Sequence, residues 1–149
     1  MNSTATVEQG QSERAAAWAK AIVSLNQWRN QHDKDVLDWI VHEATWFVPL
    51  GRKQPPANIF RYMSKGIRDL DRVDKFAREH IKPRKRAEAE IHAVATEAEI
   101  AKILLGLKVC AVTKGEHNTL GHGDTVDEWD RYRQAGIKVF DWKDGRWLW

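Results

Sequence analysis

Six cations, Arg61, Lys65, Arg68, Arg72, Lys75 and Arg78, recur at intervals of three and four residues, and a basic joint, Lys82-Pro83-Arg84-Lys85-Arg86, follows them. On a helix that spacing gathers the charges on one broad side. Guanidinium and ammonium groups so arranged bind phosphates and release the counterions condensed on a polyanion. Arg52 and Lys53, in the proline-rich loop just before, extend the block. Phosphate contacts position a nucleic acid without reading its bases, so weak sequence preference is expected. Residues 52–86 carry 12 Lys/Arg against 4 Asp/Glu, whereas residues 1–51 carry 4 against 6 and residues 87–149 carry 8 against 11. The net charge of +3 therefore conceals a cationic centre between acidic flanks. The competing explanations are an acidic protein partner, or a solvated face whose charges pair locally, as in Arg68-Asp69-Leu70-Asp71-Arg72.

Other chemistry-bearing groups are sparser. His117 and His122 lie in KGEHNTLGHGD, near Cys110 and Asp124, and the four residue types can bind zinc. Their spacing supplies no tight ligand pair and Cys110 falls in an expected strand, so a Gly-rich polar turn is the preferred reading. Gly121 and Gly123 precede an expected helix start and offer amides to an anion. The pattern is neither a Walker A loop nor a dinucleotide fingerprint, and whether residues 114–124 bind an anion stays open. His42-Glu43 begins like a zincin motif, but Trp46 stands where the second histidine is needed. Asp124, Asp127, Glu128 and Asp130 read as a helix start favoured by the macrodipole. No catalytic group, metal or cofactor is nominated, and the expectation is a non-enzyme.

Of the eight tryptophans, six fall into two sets. Trp18, Trp28 and Trp39 sit on or beside helical stripes and read as core. Trp142, Trp147 and Trp149 crowd the C-terminal segment, where strand alternation puts Trp147 and Trp149 on one face and Leu148 on the other. Packing against helices leads, followed by an aromatic face for a protein partner and by stacking on single-stranded bases.

The elements that must position these groups follow from periodicity. The chain of 149 residues suits one ordinary domain, with two small subdomains as the alternative, and its single cysteine excludes an intramolecular disulfide. It shows neither a signal-peptide pattern nor an apolar run long enough to span a bilayer, so a soluble cytoplasmic protein is expected. Residues 1–11 read as a disordered tail. Ser12 caps a helix carrying Ala15, Trp18, Ile22, Leu25 and Trp28. Asp33 or Asp35 caps a second, with Leu37, Ile40, Ala44 and Phe47 inward and Pro49 and Gly51 ending it. A third helix is predicted over residues 58–80, with Ile59, Met63, Ile67 and Leu70 as its stripe and the cations outside. A fourth spans residues 87–105, with Ile91, Val94, Ala98, Ala101 and Leu105 inward and Gly106 as C-cap. Residues 107–113 read as a strand. Thr125 to Glu128 forms a capping-box pattern before a short helix with Trp129, Tyr132 and Ala135 inward, closed by Gly136. IKVFDW and RWLW flank Lys143-Asp144-Gly145, a hairpin signal. The expected fold is α+β: an N-terminal four-helix module, residues 12–106, followed by a small β-α-β-β cap, residues 107–149, packed on the helices.

The segment Asn58-Ile59-Phe60-Arg61-Tyr62-Met63-Ser64-Lys65-Gly66-Ile67 resembles the Asn-Pro-x-x-Tyr-Ile/Leu stretch of DnaD-like helical replication modules of phages and plasmids. Residues 33–80, a third of the chain, fall within the resemblance. Ile59 replaces the usual proline, and the tryptophan such modules carry late in the second helix is absent. The resemblance implies DNA binding and helicase-loading partners, with Lys65, Arg68 and Arg72 on the contact face.

Together these features favour a non-enzymatic nucleic-acid-binding accessory protein of a bacterial mobile element, contacting a DNA or RNA backbone through the cations of residues 52–86. The rival is a small phage- or plasmid-encoded inhibitor of a host nucleic-acid-handling or defence complex, anchored by Trp142, Trp147 and Trp149. DNA versus RNA, strandedness, oligomeric state and host are not legible in the sequence.

Overall fold

The computed structural model describes residues 10–27, 33–51, 60–70, 75–120 and 128–149. Its class is α+β: N-terminal helices, then a mixed five-stranded sheet interleaved with helices. Two compact units emerge, the described parts of residues 2–55 with residues 84–107, and of residues 56–83 with residues 108–149. The predicted division at residue 106 therefore places residues 60–83 in the wrong unit.

The first unit is helical. Helix α1, Gln11–Gln27, buries Ala15, Ala19 and Ile22. Helix α2, Asp33–Leu50, buries Leu37, Val41, Ala44 and Val48, a stripe at spacings of four and three. That stripe is rotated from the expected one, leaving Ile40 and Phe47 at its edges and Trp39, predicted as core, exposed. Trp18 does pack as expected, stacked on Phe47 at 5.8 Å. The Arg14 guanidinium donates to the Val48 carbonyl through Nη2 (3.1 Å) and Nε (3.2 Å), satisfying an acceptor in the last turn of α2. Gly51, at φ 72°, then turns the chain out of the helix.

The single helix expected over residues 87–105 is two, α4 (Arg84–Ala93) and α5 (Glu97–Leu105). Between α2 and α4 the chain forms strand β1 (Tyr62–Ser64), helix α3 (Lys65–Arg68) and strand β2 (Ala77–His80). Thr96 breaks the run by capping α5: its hydroxyl accepts from the Glu99 amide while Glu99 reaches back to the Thr96 amide. The break shifts the helical phase, so Ile100 and Leu104 are buried, Ala101 packs partly buried against the same core as expected, and Ala98 and Leu105 are exposed.

The second unit contains strands β1 (Tyr62–Ser64), β2 (Ala77–His80), β3 (Val109–Val112), β4 (Val139–Asp141) and β5 (Arg146–Trp147), in the order β2-β3-β1-β4-β5. β1 pairs parallel with β3 and antiparallel with β4, and the remaining pairs are antiparallel. Short helices α3 (Lys65–Arg68), α6 (Lys114–Thr119) and α7 (Asp130–Gln134) accompany them. The helix predicted over residues 58–80 is thus replaced, in its described part, by β1, one turn of helix and β2. Tyr62, Met63 and Ser64 are all buried between two neighbouring strands, where hydrogen bonding across the sheet prevails over helical periodicity. Ser64 ends the strand and caps α3, its Oγ accepting from the Ile67 amide. In β2, the Ala-Arg-Glu-His run pairs residue for residue with β3, which overrides its helix-favouring composition.

The strand and hairpin expected near the C-terminus are present. Asp141 organises the hairpin turn, accepting from the Lys143 amide (2.9 Å) and the Asp144 amide (3.3 Å), and Gly145 closes it at φ 64°. The polar turn expected over residues 114–124 is, in its described part, the helix α6, started by a capping box between Thr113 and Glu116. Among the described residues no helix is long and apolar enough to cross a membrane.

The Asp141 carboxylate also receives a two-pronged contact from Arg61, with Nη2–Oδ2 at 2.8 Å and Nε–Oδ1 at 3.0 Å. Burial works to raise its pKa, but the Arg61 and turn-amide hydrogen bonds outweigh burial and leave it below the ordinary value. A carboxylate with a depressed folded pKa stabilises the fold above its unfolded pKa and loses that contribution as pH falls through the folded one. The sheet unit is accordingly expected to weaken below about pH 4, and Asp141→Asn to flatten that dependence in urea titrations at stepped pH.

Candidate nucleic-acid interface

The structure scatters the cations that the sequence aligns on one helix. Arg61 is held by Asp141 and lies 3.7 Å from Asp144; Lys65 pairs with Asp69 one turn along. Lys75 is exposed, Arg78 is half-buried in β2, and Lys82 is half-buried beyond it. Arg84 and Arg86 belong to the helical unit, where they pair with Glu88 and Glu90 along α4, and Lys85 is exposed between them. Arg52, Lys53 and Arg72 lie outside the described residues, as do Trp28, His122 and Asp124.

Arg68 is placed differently from the rest. Its guanidinium carbon sits 3.8 Å from the Phe140 ring centroid, 5.0 Å from Trp147 and 5.5 Å from Trp142. These distances fall within cation–π range for all three rings. Cross-strand register explains the gathering. Arg78, Ala111, Met63, Phe140 and Trp147 stand opposite one another in successive strands and so share one sheet face. Trp142, two residues beyond Phe140, lies on the same side. Phe140 meets Trp142 and Trp147 nearly edge-to-face, at interplanar angles of 79° and 73°. Trp142 is 49% exposed and Trp147 37%. Among the described residues Arg68 has no carboxylate or hydrogen-bonding partner.

The three C-terminal tryptophans do not act as one face. β5 ends at Trp147, so alternation stops there. Trp149 joins Trp129 at 5.6 Å, with Arg133 over it at 4.8 Å, in the aromatic group that includes Tyr62 and Tyr132. Thus one residue from the proposed nucleic-acid set, Arg68, meets two from the proposed partner-binding set, Trp142 and Trp147.

A second cluster occupies the opposite face of β2, where sequence reading singled out only His117. Glu79 binds His117 Nδ1 through Oε2 at 2.6 Å and accepts from Arg131 Nη2 through Oε1 at 2.8 Å. Arg131, whose side chain is only 6% exposed, also donates to the His80 carbonyl at 2.6 Å. With Nδ1 engaged, Nε2 is the open nitrogen of an imidazole that is 48% exposed. Such a carboxylate-oriented imidazole can accept a proton or ligate an ion. Cys110, near this cluster, is buried; burial first, then Glu116 and Glu79, push its thiol well up and keep it protonated. Among the described residues no three His, Cys, Asp or Glu side chains come together as a metal site.

Glu116 is a third residue that sequence reading passed over. Its carboxylate accepts from Ser64 Oγ at 2.5 Å, the Thr113 amide at 2.9 Å and the Gly66 amide at 3.2 Å, tying α6 to the end of β1 and the start of α3. The Thr113-x-x-Glu116 spacing was the available signal. No protein-family model matches the chain, and no curated protein or solved structure matches it significantly, so its chemistry is read from its own residues.

Proposed function

We propose that the sheet unit is a nucleic-acid-binding module whose contact surface is built by α3, β4 and β5. The observation that carries this reading is Arg68, stacked over three aromatic rings and without a carboxylate partner among the described residues. Stacking on rings holds a guanidinium in place while its edge keeps N–H donors for a phosphate. The basic block of the sequence supplies attraction at longer range, with Lys65, Lys75 and Arg78 as contributors in the same unit. Fluorescence anisotropy with labelled oligonucleotides at two salt concentrations tests the reading. Arg68→Ala is expected to weaken binding across unrelated sequences and to reduce the salt slope by about one. Absence of binding even at low salt removes the reading and favours an inhibitor whose anchors, Trp142 and Trp147, bind a protein instead.

A second reading rests on the Glu79–His117 pair. An imidazole fixed through Nδ1 by a carboxylate has the arrangement of a general base, here on the sheet face away from Arg68, so it acts only on a phosphodiester bound at that face. It predicts slow cleavage of labelled oligonucleotides, assayed with and without magnesium, that His117→Ala abolishes while binding persists. Intact substrate after prolonged incubation would eliminate it.

A further inference from the structure

We infer that the Arg68 surface takes single-stranded nucleic acid, stacking an unpaired base on the indole of Trp142 or Trp147 while Arg68 holds the adjoining phosphate. This rests on the nucleic-acid reading above and specifies which form of the polymer fits it.

The local charge balance is the first argument. Two carboxylates flank the surface in sequence, Asp69 and Asp144, while Asp141 lies on the other sheet face, opposite Tyr62. Asp69 is taken by Lys65, Asp141 by Arg61, and Asp144 lies 3.7 Å from Arg61 and 3.8 Å from Arg146. These ions largely offset one another, and Arg68, which has no carboxylate partner among the described residues, lies at the rings, with Arg78 further across the same sheet face. A surface with so few cations at the rings has little field with which to hold the evenly spaced phosphates of a duplex. Its remaining means of binding is aromatic area.

That area has the right geometry for a flat ligand. The two indoles stand nearly perpendicular to Phe140 and are not stacked on each other by any described contact. Each indole has two faces, and Arg68 can lie against only one of them. Phe140 is buried beneath, fixing both neighbours, so little side-chain entropy remains to be lost on binding. Every base offers a π-face once unpaired, whereas in a duplex those faces are covered by neighbouring base pairs. One cation beside two anchored indoles therefore matches one phosphate and one or two bases of a single strand.

The test uses the full chain with a fluorescein-labelled oligothymidine and a hairpin duplex of matched length, followed by anisotropy and tryptophan emission. The single strand is expected to bind more tightly and to quench tryptophan emission, and Arg68→Ala is expected to reduce its salt slope by about 0.7, one phosphate's worth. Trp142→Ala and Trp147→Ala should each weaken it about 5- to 150-fold, the range that loss of one stacked base spans. Trp142→Phe, which keeps a ring, should recover much of the loss, and circular dichroism confirms that each variant is folded. Equal binding of duplex and single strand, with affinity unmoved in both alanine variants, overturns the inference and leaves the broader nucleic-acid reading standing. Failure of both oligonucleotides to bind at low salt removes that reading, and the inference falls with it.

Discussion

Replacing Glu116 with alanine lowers the stability of the sheet unit by about 3–5 kcal/mol. Ser64 is fully buried, so its hydroxyl loses its acceptor with no water to replace it. The amides of Thr113 and Gly66 lose the same carboxylate, and charge-assisted bonds of this kind contribute about 1.5–3 kcal/mol each before partial compensation. Glu116→Gln, which keeps one oxygen but turns a donor toward these donors, should fall between wild type and alanine. Gly66→Ala reaches the same lock from the other side, since an added Cβ would lie 2.6 Å from Glu116 Oε1. Glu116 is pinned by its other partners and yields poorly. Urea unfolding followed by tryptophan fluorescence should show lower midpoints at unchanged slope in all three variants. A midpoint for Glu116→Ala within error of wild type would show that α6 is not fastened to β1 in solution.

The second large effect is expected at Arg131. Arg131→Met keeps bulk but leaves Glu79 with His117 alone and removes the donor from the His80 carbonyl. Stripping one partner from a buried ion pair costs about 3–5 kcal/mol, mainly because the surviving charge is left poorly compensated. The double variant Glu79→Gln/Arg131→Met removes that charge as well and should recover part of the loss. A double-mutant cycle on unfolding free energies measures the coupling, and strict additivity would mean that the two groups do not interact.

How far the sequence foretold this structure can be judged element by element. The helices over residues 11–27 and 33–50 were legible because each buries one stripe against other helices, the situation that a 3.6-residue period reports. The hairpin was legible because its turn requires a glycine and an aspartate at fixed places. Residues 60–80 misled because β1 is buried on both sides and shows no alternation, while Met63 and Ile67 happen to fall four apart. The cations around them imitated a helical face although they leave strands, a helix turn and loops in different directions. Arg68 was nominated for phosphate contact and Trp142 and Trp147 for a partner; that they meet depends on the pairing of β1 with β4, which sequence spacing does not reveal. The Glu79–His117 contact was hidden more deeply, because the helical segment 84–107 separates two strands that are neighbours in the sheet.

That insertion also determines the order in which the chain can be completed. On leaving the ribosome, α1 and α2 must wait for α4 and α5 before the apolar stripe of Ile22, Val41 and Val48 is covered by the residues of its own core. β1 emerges next but has no partner until β3 and β4 arrive, long after it. Both cores are therefore assembled from early and late segments, and neither can close while the chain is half made. Loop closure itself is inexpensive, about 0.6 kcal/mol for each doubling of length. The burden is temporal: exposed apolar helices and an unpaired central strand coexist during synthesis, which makes this small protein a candidate for chaperone capture on the ribosome. The junction offers a remedy. The Ile81 amide donates to the Lys108 carbonyl at 3.0 Å, so the inserted segment leaves and re-enters the sheet at adjacent points. A short turn spliced between those residues would make β2 and β3 an ordinary hairpin and let the sheet assemble without waiting for the helices.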